Sequence, residues 1–208
     1  MTSAPTVFIV DDDLSVLKSL GRLIRSAGFH VAAFCSANEF LGRPKDDVPG
    51  CMVLDMQMPD LNGFGLQQML SASGQGLPII FLTGHGDIPM SVRAIKAGAV
   101  DFLTKPCEDE KLLVAIAQAI AIDTEARRVQ ADRAELQRRF SSLTQREREV
   151  CRHVVAGRLN KQIAYDLGTC EQTIKVHRMR IMEKLRVGSL AELVMLAGKA
   201  GLTPPANN

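Results

Sequence analysis

Asp11, Asp12 and Asp13 follow one apolar run, Asp55 closes another, Thr83 ends a third and Lys105 follows a further one. Clustered carboxylates repel and raise one another's pKa unless a cation sits among them. A small, hard Mg2+ ion suits such a set, because it takes oxygen ligands and keeps several waters. One carboxylate can then attack a phosphoryl group while the metal and an ammonium neutralise the transferring oxygens. Asp55, expected at the centre of a sheet, is the best nucleophile. A phosphoryl group there adds roughly −1.5 to −2 charges, which Lys105 can pair with and the Thr83 hydroxyl can donate to. Singly, each residue has an ordinary explanation: Asp13 can cap a helix and a lone lysine is usually solvated. Their joint placement at the ends of successive apolar runs is what points to chemistry.

Those runs must be strands. Thr6 to Val10, His30 to Phe34, Cys51 to Leu54, Pro78 to Thr83 and Val100 to Thr104 are β-rich, and helical periodicity separates them. Val16, Leu17, Leu20, Leu23 and Ile24 mark one buried helix face, and Leu66, Met69 and Leu70 another. Ser36 and Glu39 have capping-box spacing before Phe40 and Leu41. Strands fed by crossover helices make a doubly wound parallel sheet in the α/β class, with ligands outside the strands' carboxyl ends. His85, in a Gly-flanked turn, reads as a solvated loop histidine and carries no assigned role.

VDDD, LDMQMPDLNG, TGHGD and KAGAVDFLTKP closely resemble the receiver domains of two-component response regulators, within the NarL/FixJ family and especially its FixJ group, over roughly residues 4 to 122. The resemblance implies a flavodoxin-like, five-stranded receiver at 1–122. It also implies that Asp11, Asp12, Asp55 and the backbone carbonyl of Gln57 hold Mg2+ and that Asp55 is the phosphoacceptor. Thr83 and Lys105 match the residues that bind the phosphoryl group, Phe102 matches the switch aromatic, and Lys105-Pro106 matches a cis bond. If Thr83 turns toward a phosphoryl group, it vacates space that the Phe102 ring could enter, changing the surface between Asp87 and Phe102. Cys107 departs from the usual Phe.

Charge divides the chain. Residues 1 to 125 hold 9 Lys and Arg against 15 Asp and Glu, whereas residues 126 to 208 hold 16 against 8, giving +2 overall. An acidic half joined to a basic half suggests a cation or phosphate device linked to a polyanion binder. Between them, Ile122 to Leu143 has no Pro or Gly, so the last receiver helix is expected to continue as a linker over 123–142. Ile122, Ala126, Val129, Arg133, Leu136, Phe140 and Leu143 form a heptad seam interrupted by Arg133. It could be a short coiled coil, or a connecting helix that packs on its own domains.

In the basic half, Thr144 and Glu147 form a capping box before Val150, Val154 and Val155, and Gly157 stops that helix. Asn160 is placed to cap a short helix carrying Ile163, Ala164 and Leu167, which Gly168 ends. A longer helix starts near Glu171 and presents Ile174, Ile181, Met182 and Leu185 inward, and Ser189 caps a fourth. A short helix, a tight turn and a longer basic helix place a recognition helix in the major groove. The alternative is a four-helix domain whose positive face serves only solubility.

LTQREREV, GRLNKQIAYDLG, TIKVHRMRIMEKL and SLAELV strongly resemble the LuxR-type helix-turn-helix, implying an all-α four-helix DNA-binding domain at 143–208. By that match Lys161 and Thr173 position the phosphate backbone, and Lys175, Val176, His177 and Arg178 face the groove. Cys170 replaces the commoner Ser cap, and Met179 stands where some relatives are basic.

The combined expectation is a cytoplasmic transcription regulator phosphorylated on Asp55 by a sensor histidine kinase. It would form a homodimer on phosphorylation and bind double-stranded DNA, with RNA polymerase as a further partner. No apolar run approaches the roughly 18 residues that span a bilayer, and the start lacks the features of a secretory signal, so no membrane partner is expected. Five widely spaced cysteines suggest reduced thiols without a zinc site. Two other classes compete with this reading. A Mg2+-dependent aspartyl-phosphate phosphatase needs a second acid two residues after its nucleophile, where this chain has Gln57. A phospho-switched RNA- or protein-interaction module is disfavoured for single strands by a basic half whose aromatics are Phe140 and Tyr165.

Overall fold

The structure is a computed structural model that describes residues 4–44, 48–59, 61–74, 76–84 and 87–202, and the chain divides into two compact units, Met1–Arg128 and Val129–Asn208. The first alternates β1 (Thr6–Val10), α1 (Leu14–Ser26), β2 (His30–Phe34), α2 (Ala37–Gly42), β3 (Gly50–Leu54), α3 (Gly63–Ala72), β4 (Ile79–Thr83), α4 (Ile88–Lys96), β5 (Asp101–Thr104) and α5 (Asp109–Ser141). Every strand pairing is parallel, in the order β2-β1-β3-β4-β5. The expected doubly wound sheet is present. His85 and Asp60 lie outside the described residues.

Strand alternation builds a core on each face of the sheet. Val7, Ile9, Cys51, Val53, Ile80 and Leu82 face α1 and α5, where Leu17, Ile24, Leu112 and Ile116 cover them. Phe8, Val10, Met52, Leu54 and Phe81 face the other way, onto Phe40 of α2, Leu66 and Leu70 of α3 and Ala94 of α4. With both faces covered, β3 and β4 are buried throughout, which is why they read as unbroken apolar runs.

Helix starts are set by short polar side chains. Asp13, Asn62 and Asp87 accept the amides of Ser15, Gly65 and Met90 at 2.7, 2.9 and 2.7 Å. Ser36 caps α2 through the Glu39 amide at 3.1 Å, but the reciprocal half of the expected box is displaced. The Glu39 carboxylate takes the amide of Cys35 at 2.7 Å instead of that of the cap residue.

Helix α5 runs unbroken from Asp109 to Ser141, past the boundary between the units. The seam fails at its end, because Leu143 lies beyond the helix and is buried with Phe140 against the apolar core of its own second unit. Those two positions are spent on intramolecular packing. In the second unit, α6 (Gln145–Val155), α7 (Asn160–Asp166), α8 (Glu171–Leu185) and α9 (Leu190–Lys199) enclose that core. Gly157 and Gly168 end α6 and α7 with φ of +77° and +62°, a region that favours glycine. Among the described residues, no helix is long and apolar enough to cross a membrane.

The sheet edge opposite Asp55 holds a residue that sequence reasoning passed over. Asp123, buried on α5, accepts the Gly50 amide at 2.8 Å and the Arg127 Nε at 2.7 Å, tying α5 to the start of β3. Asp123→Ala should lower the receiver's stability by about 1–3 kcal/mol by leaving a buried donor unsatisfied. Urea unfolding should show an earlier midpoint with an unchanged slope.

Candidate functional site

The carboxyl ends of β1 and β3 are adjacent, with Val10 opposite Leu54, so the next residues, Asp11 and Asp55, are neighbours at the point where strand order reverses. Main-chain bonds continue past the strands. The Asp11 amide donates to the Phe34 carbonyl at 3.2 Å and the Asp55 amide to the Val10 carbonyl at 2.9 Å. Both carboxylates are buried, whereas Asp12 is exposed.

One ammonium joins them. Lys105, entering from the end of β5, places Nζ 2.5 Å from Asp11 Oδ2 and 3.2 Å from Asp55 Oδ1. The remaining carboxylate oxygens are held by main-chain amides, Asp11 Oδ1 by Asp13 at 3.0 Å and Asp55 Oδ2 by Gln57 at 2.8 Å. Burial pushes the Asp11 carboxyl above its ordinary value, against the opposing pull of Lys105. Burial also disfavours charge on Lys105, but its bond to Asp11 and the two carboxylates outweigh this and raise its pKa. Lys105 and Pro106 are joined by a cis peptide bond. The Lys105 amide donates to the Thr83 carbonyl at 2.8 Å, which fixes lysine and threonine on adjacent strand ends. Thr83 is buried.

The donor set suits a hard cation. Two buried carboxylates with one shared ammonium carry unbalanced negative charge, and their donors are oxygens. Among the described residues, no three His, Cys, Asp or Glu side chains gather closely enough to hold an ion alone. A cation held there would need further oxygen donors, from main-chain carbonyls or water, as a small hard ion commonly takes.

Phe102 lies half-buried on β5, its ring 6.2 Å from that of Phe81. Phe81 in turn meets Phe64 of α3 at 5.6 Å, over which Arg93 of α4 sits at 4.4 Å. An aromatic row thus runs from the candidate switch residue beneath β4 to α3 and α4. Sequence reasoning also missed Gly63. A Cβ there would stand 2.6 Å from the Asp55 carbonyl oxygen and 2.9 Å from the Phe81 ring, so only glycine lets α3 begin this close to the site. The NG pair after the aspartate was the available signal.

In the second unit the capping box forms as expected. The Glu147 amide donates to Thr144 Oγ1 at 3.3 Å and the Thr144 amide to Glu147 Oε2 at 2.8 Å. Lys184 of α8 then reaches the same buried carboxylate at 2.6 Å, locking the recognition-type helix to α6. Asn160 departs from expectation. The cap position of α7 is Leu159, whose amide donates to Gln162 Oε1 at 2.9 Å, and Asn160 is already helical. Its side chain turns to α8 and accepts from Arg178 at 3.1 Å.

Of the residues assigned to DNA, Lys161 and Lys175 are exposed, and Thr173, Val176, His177 and Arg178 are half-buried. Thr173 Oγ1 stands 3.2 Å from Cys170 Sγ, and Cys170 makes no capping bond to the backbone of α8. The Thr173 hydroxyl lowers the pKa of the exposed Cys170 thiol.

Two family models match the chain: "Response regulator receiver domain" over residues 7–117 and "Bacterial regulatory proteins, luxR family" over 141–197. The chain is a response regulator of the receiver-plus-LuxR family. This regulator is 46% identical over 191 residues to the response regulator protein TodT of Pseudomonas putida, covering 92% of this chain and 84% of that one. It is 41% identical over 206 residues to the transcriptional regulatory protein FixJ of Azorhizobium caulinodans, covering 98% and 97%. The solved structure of the response regulator StyR superimposes with a TM-score of 0.90 at 51% identity, covering 95% of the regulator and 100% of that chain. The family comprises DNA-binding transcriptional regulators rather than enzymes.

The Glu147 site gives the regulator an acid-sensitive element. Burial pushes the Glu147 carboxyl up, but Lys184 and Thr144 outweigh it and hold its pKa below the ordinary 4.5. A carboxyl depressed by folding stabilises the fold above its unfolded pKa and loses that contribution as pH falls through the folded value. The output unit's melting temperature should therefore fall as pH drops below 4.5. In Glu147→Gln this acid limb should flatten, as followed by thermal unfolding from neutral to acid pH.

Proposed function

We propose that this regulator is a cytoplasmic phosphorylation-controlled transcription factor in which a sensor histidine kinase phosphorylates Asp55. The observation that carries the reading is the Lys105 ammonium between Asp11 and Asp55 at the carboxyl edge of β1 and β3. An oxygen of Asp55 attacks the phosphorus, the bond from phosphorus to the kinase's histidine nitrogen breaks, and that imidazole leaves with a proton. Asp11, Asp12, Asp55 and the Gln57 carbonyl would hold Mg2+, which neutralises phosphoryl oxygens when bound. Lys105 pairs with the new charge and Thr83 donates its hydroxyl to it. Phe102 then follows into the space Thr83 leaves, and the row through Phe81 and Phe64 carries the repacking to α3 and α4. Gln57 presents an amide group where a general acid would stand, so the phosphorylated state has no side-chain acid to speed its hydrolysis.

In the output unit, Lys161 and Thr173 hold DNA phosphates, and Lys175, Val176, His177 and Arg178 of α8 read the major groove of double-stranded DNA. Phosphorylation promotes a homodimer that matches two half-sites, with RNA polymerase as a further partner.

With Mg2+ and acetyl phosphate, the wild type should take up about one phosphoryl group per chain, sediment as a dimer and bind operator-length duplex more tightly. Asp55→Asn should do none of these. Equal uptake by both proteins, read by phosphate-affinity electrophoresis, would remove Asp55 from the mechanism. A phosphate contact is tested separately. Lys161→Ala should weaken binding to all duplex sequences alike and reduce the slope of log affinity against log salt by about one.

A further inference from the structure

Arg133 interrupts the apolar spacing of α5, and the second unit gives that interruption a use. Between the last turns of α5, α6 and the end of α9 lies an open cleft of about 390 Å3. Leu136, Phe140 and Leu202 give it an apolar floor, the exposed Arg133, Arg148, Arg152 and Lys199 stand around it, and among the described residues no acidic side chain lines it. Arg133, Arg152 and Lys199 make no hydrogen bond or ion pair among the described residues, and Arg148 gives one N–H to the Ser141 carbonyl at 3.3 Å. The acids Asp132 and Glu135 line an adjoining groove to which Arg133 and Lys199 also contribute, and Glu135 is bound by Arg138 and Arg139.

Four cations around a concave apolar surface repel one another and concentrate positive potential there, which a bound anion would relieve. Guanidinium forks match the geometry of carboxylate and phosphate, and the floor can take a hydrophobic body. The volume falls in the range of small-ligand sites. Duplex DNA is the poorer occupant. No residue of α7 or α8 lines the cleft, and a backbone phosphate has no use for a floor of Leu and Phe.

We propose that this cleft binds a small organic anion with an apolar body, an aryl or short-chain carboxylate or phosphate. Binding clasps the end of α5 to α6 and α9, giving the output unit an input separate from Asp55.

The test is calorimetry and amide-shift mapping on the full-length chain, titrated with phenyl phosphate and with benzoate, against inorganic phosphate and benzyl alcohol. We expect saturable one-site binding of phenyl phosphate, benzoate or both, at least about tenfold tighter than either control, with shifts at Gln137, Arg152 and Ala200. Which of the two saturates tells phosphate from carboxylate. Arg152→Gln with Lys199→Gln should weaken binding by about tenfold or more, while Lys199→Arg should retain it. If the double variant unfolds, the wild-type shifts and the behaviour of Lys199→Arg decide. No saturation up to about 10 mM, binding equal to that of inorganic phosphate, or shifts elsewhere would overturn the proposal. So would a double variant whose only defect is a salt slope for duplex DNA reduced by about two, because the cluster would then be a backbone contact.

Discussion

Two carboxylates placed side by side at the edge of a dry sheet would force each other, or the fold, apart. In this chain the Lys105 ammonium reaches both Asp11 and Asp55, and main-chain amides take the opposite oxygens. The arrangement depends on strand order. Only because β1 and β3 are neighbours, with β4 and β5 beyond, do residues from positions 11, 55, 83 and 105 share one edge. Burial raises the Asp11 carboxyl and opposes the Lys105 charge, so each group keeps its ionic form largely through the other.

Much of this was legible beforehand, for identifiable reasons. Fully buried strands leave unbroken apolar runs, so β3 and β4 could be found within a residue at each end, and attention to Asp55 after β3 and Thr83 at the end of β4 followed from the rule that parallel sheets bind at their carboxyl edges. The capping box at Thr144 and Glu147 was legible because both of its bonds are local. What escaped depends on distant partners. Asp123 looked like a linker residue because Gly50, which it holds, is 73 positions away. Gly63 matters through a carbonyl eight residues earlier and an aromatic ring on another strand. Asn160 looked like a cap by local spacing, but an arginine on the next helix claims its side chain. The last two positions of the heptad seam were ambiguous for the same reason, since Phe140 and Leu143 find their partners in the output core.

The output unit relies on a related device. Glu147 closes a local capping box and also receives Lys184, so one buried carboxylate serves both the start of α6 and the seating of α8. Secondary structure and tertiary packing there share an atom.

The five cysteines carry a consequence for how the two units can be watched. Cys51 lies in the receiver core and Cys151 in the output core, and burial pushes their thiols up to about 12 and about 11. Near neutral pH neither is a thiolate and neither meets solvent, so each is silent toward alkylating reagents until its own unit opens. Cys35 and Cys170 are exposed and Cys107 is half-buried. The chain therefore has a native clock in each core, and the labelling rates of Cys51 and Cys151 would time the opening of the two units separately without any added probe.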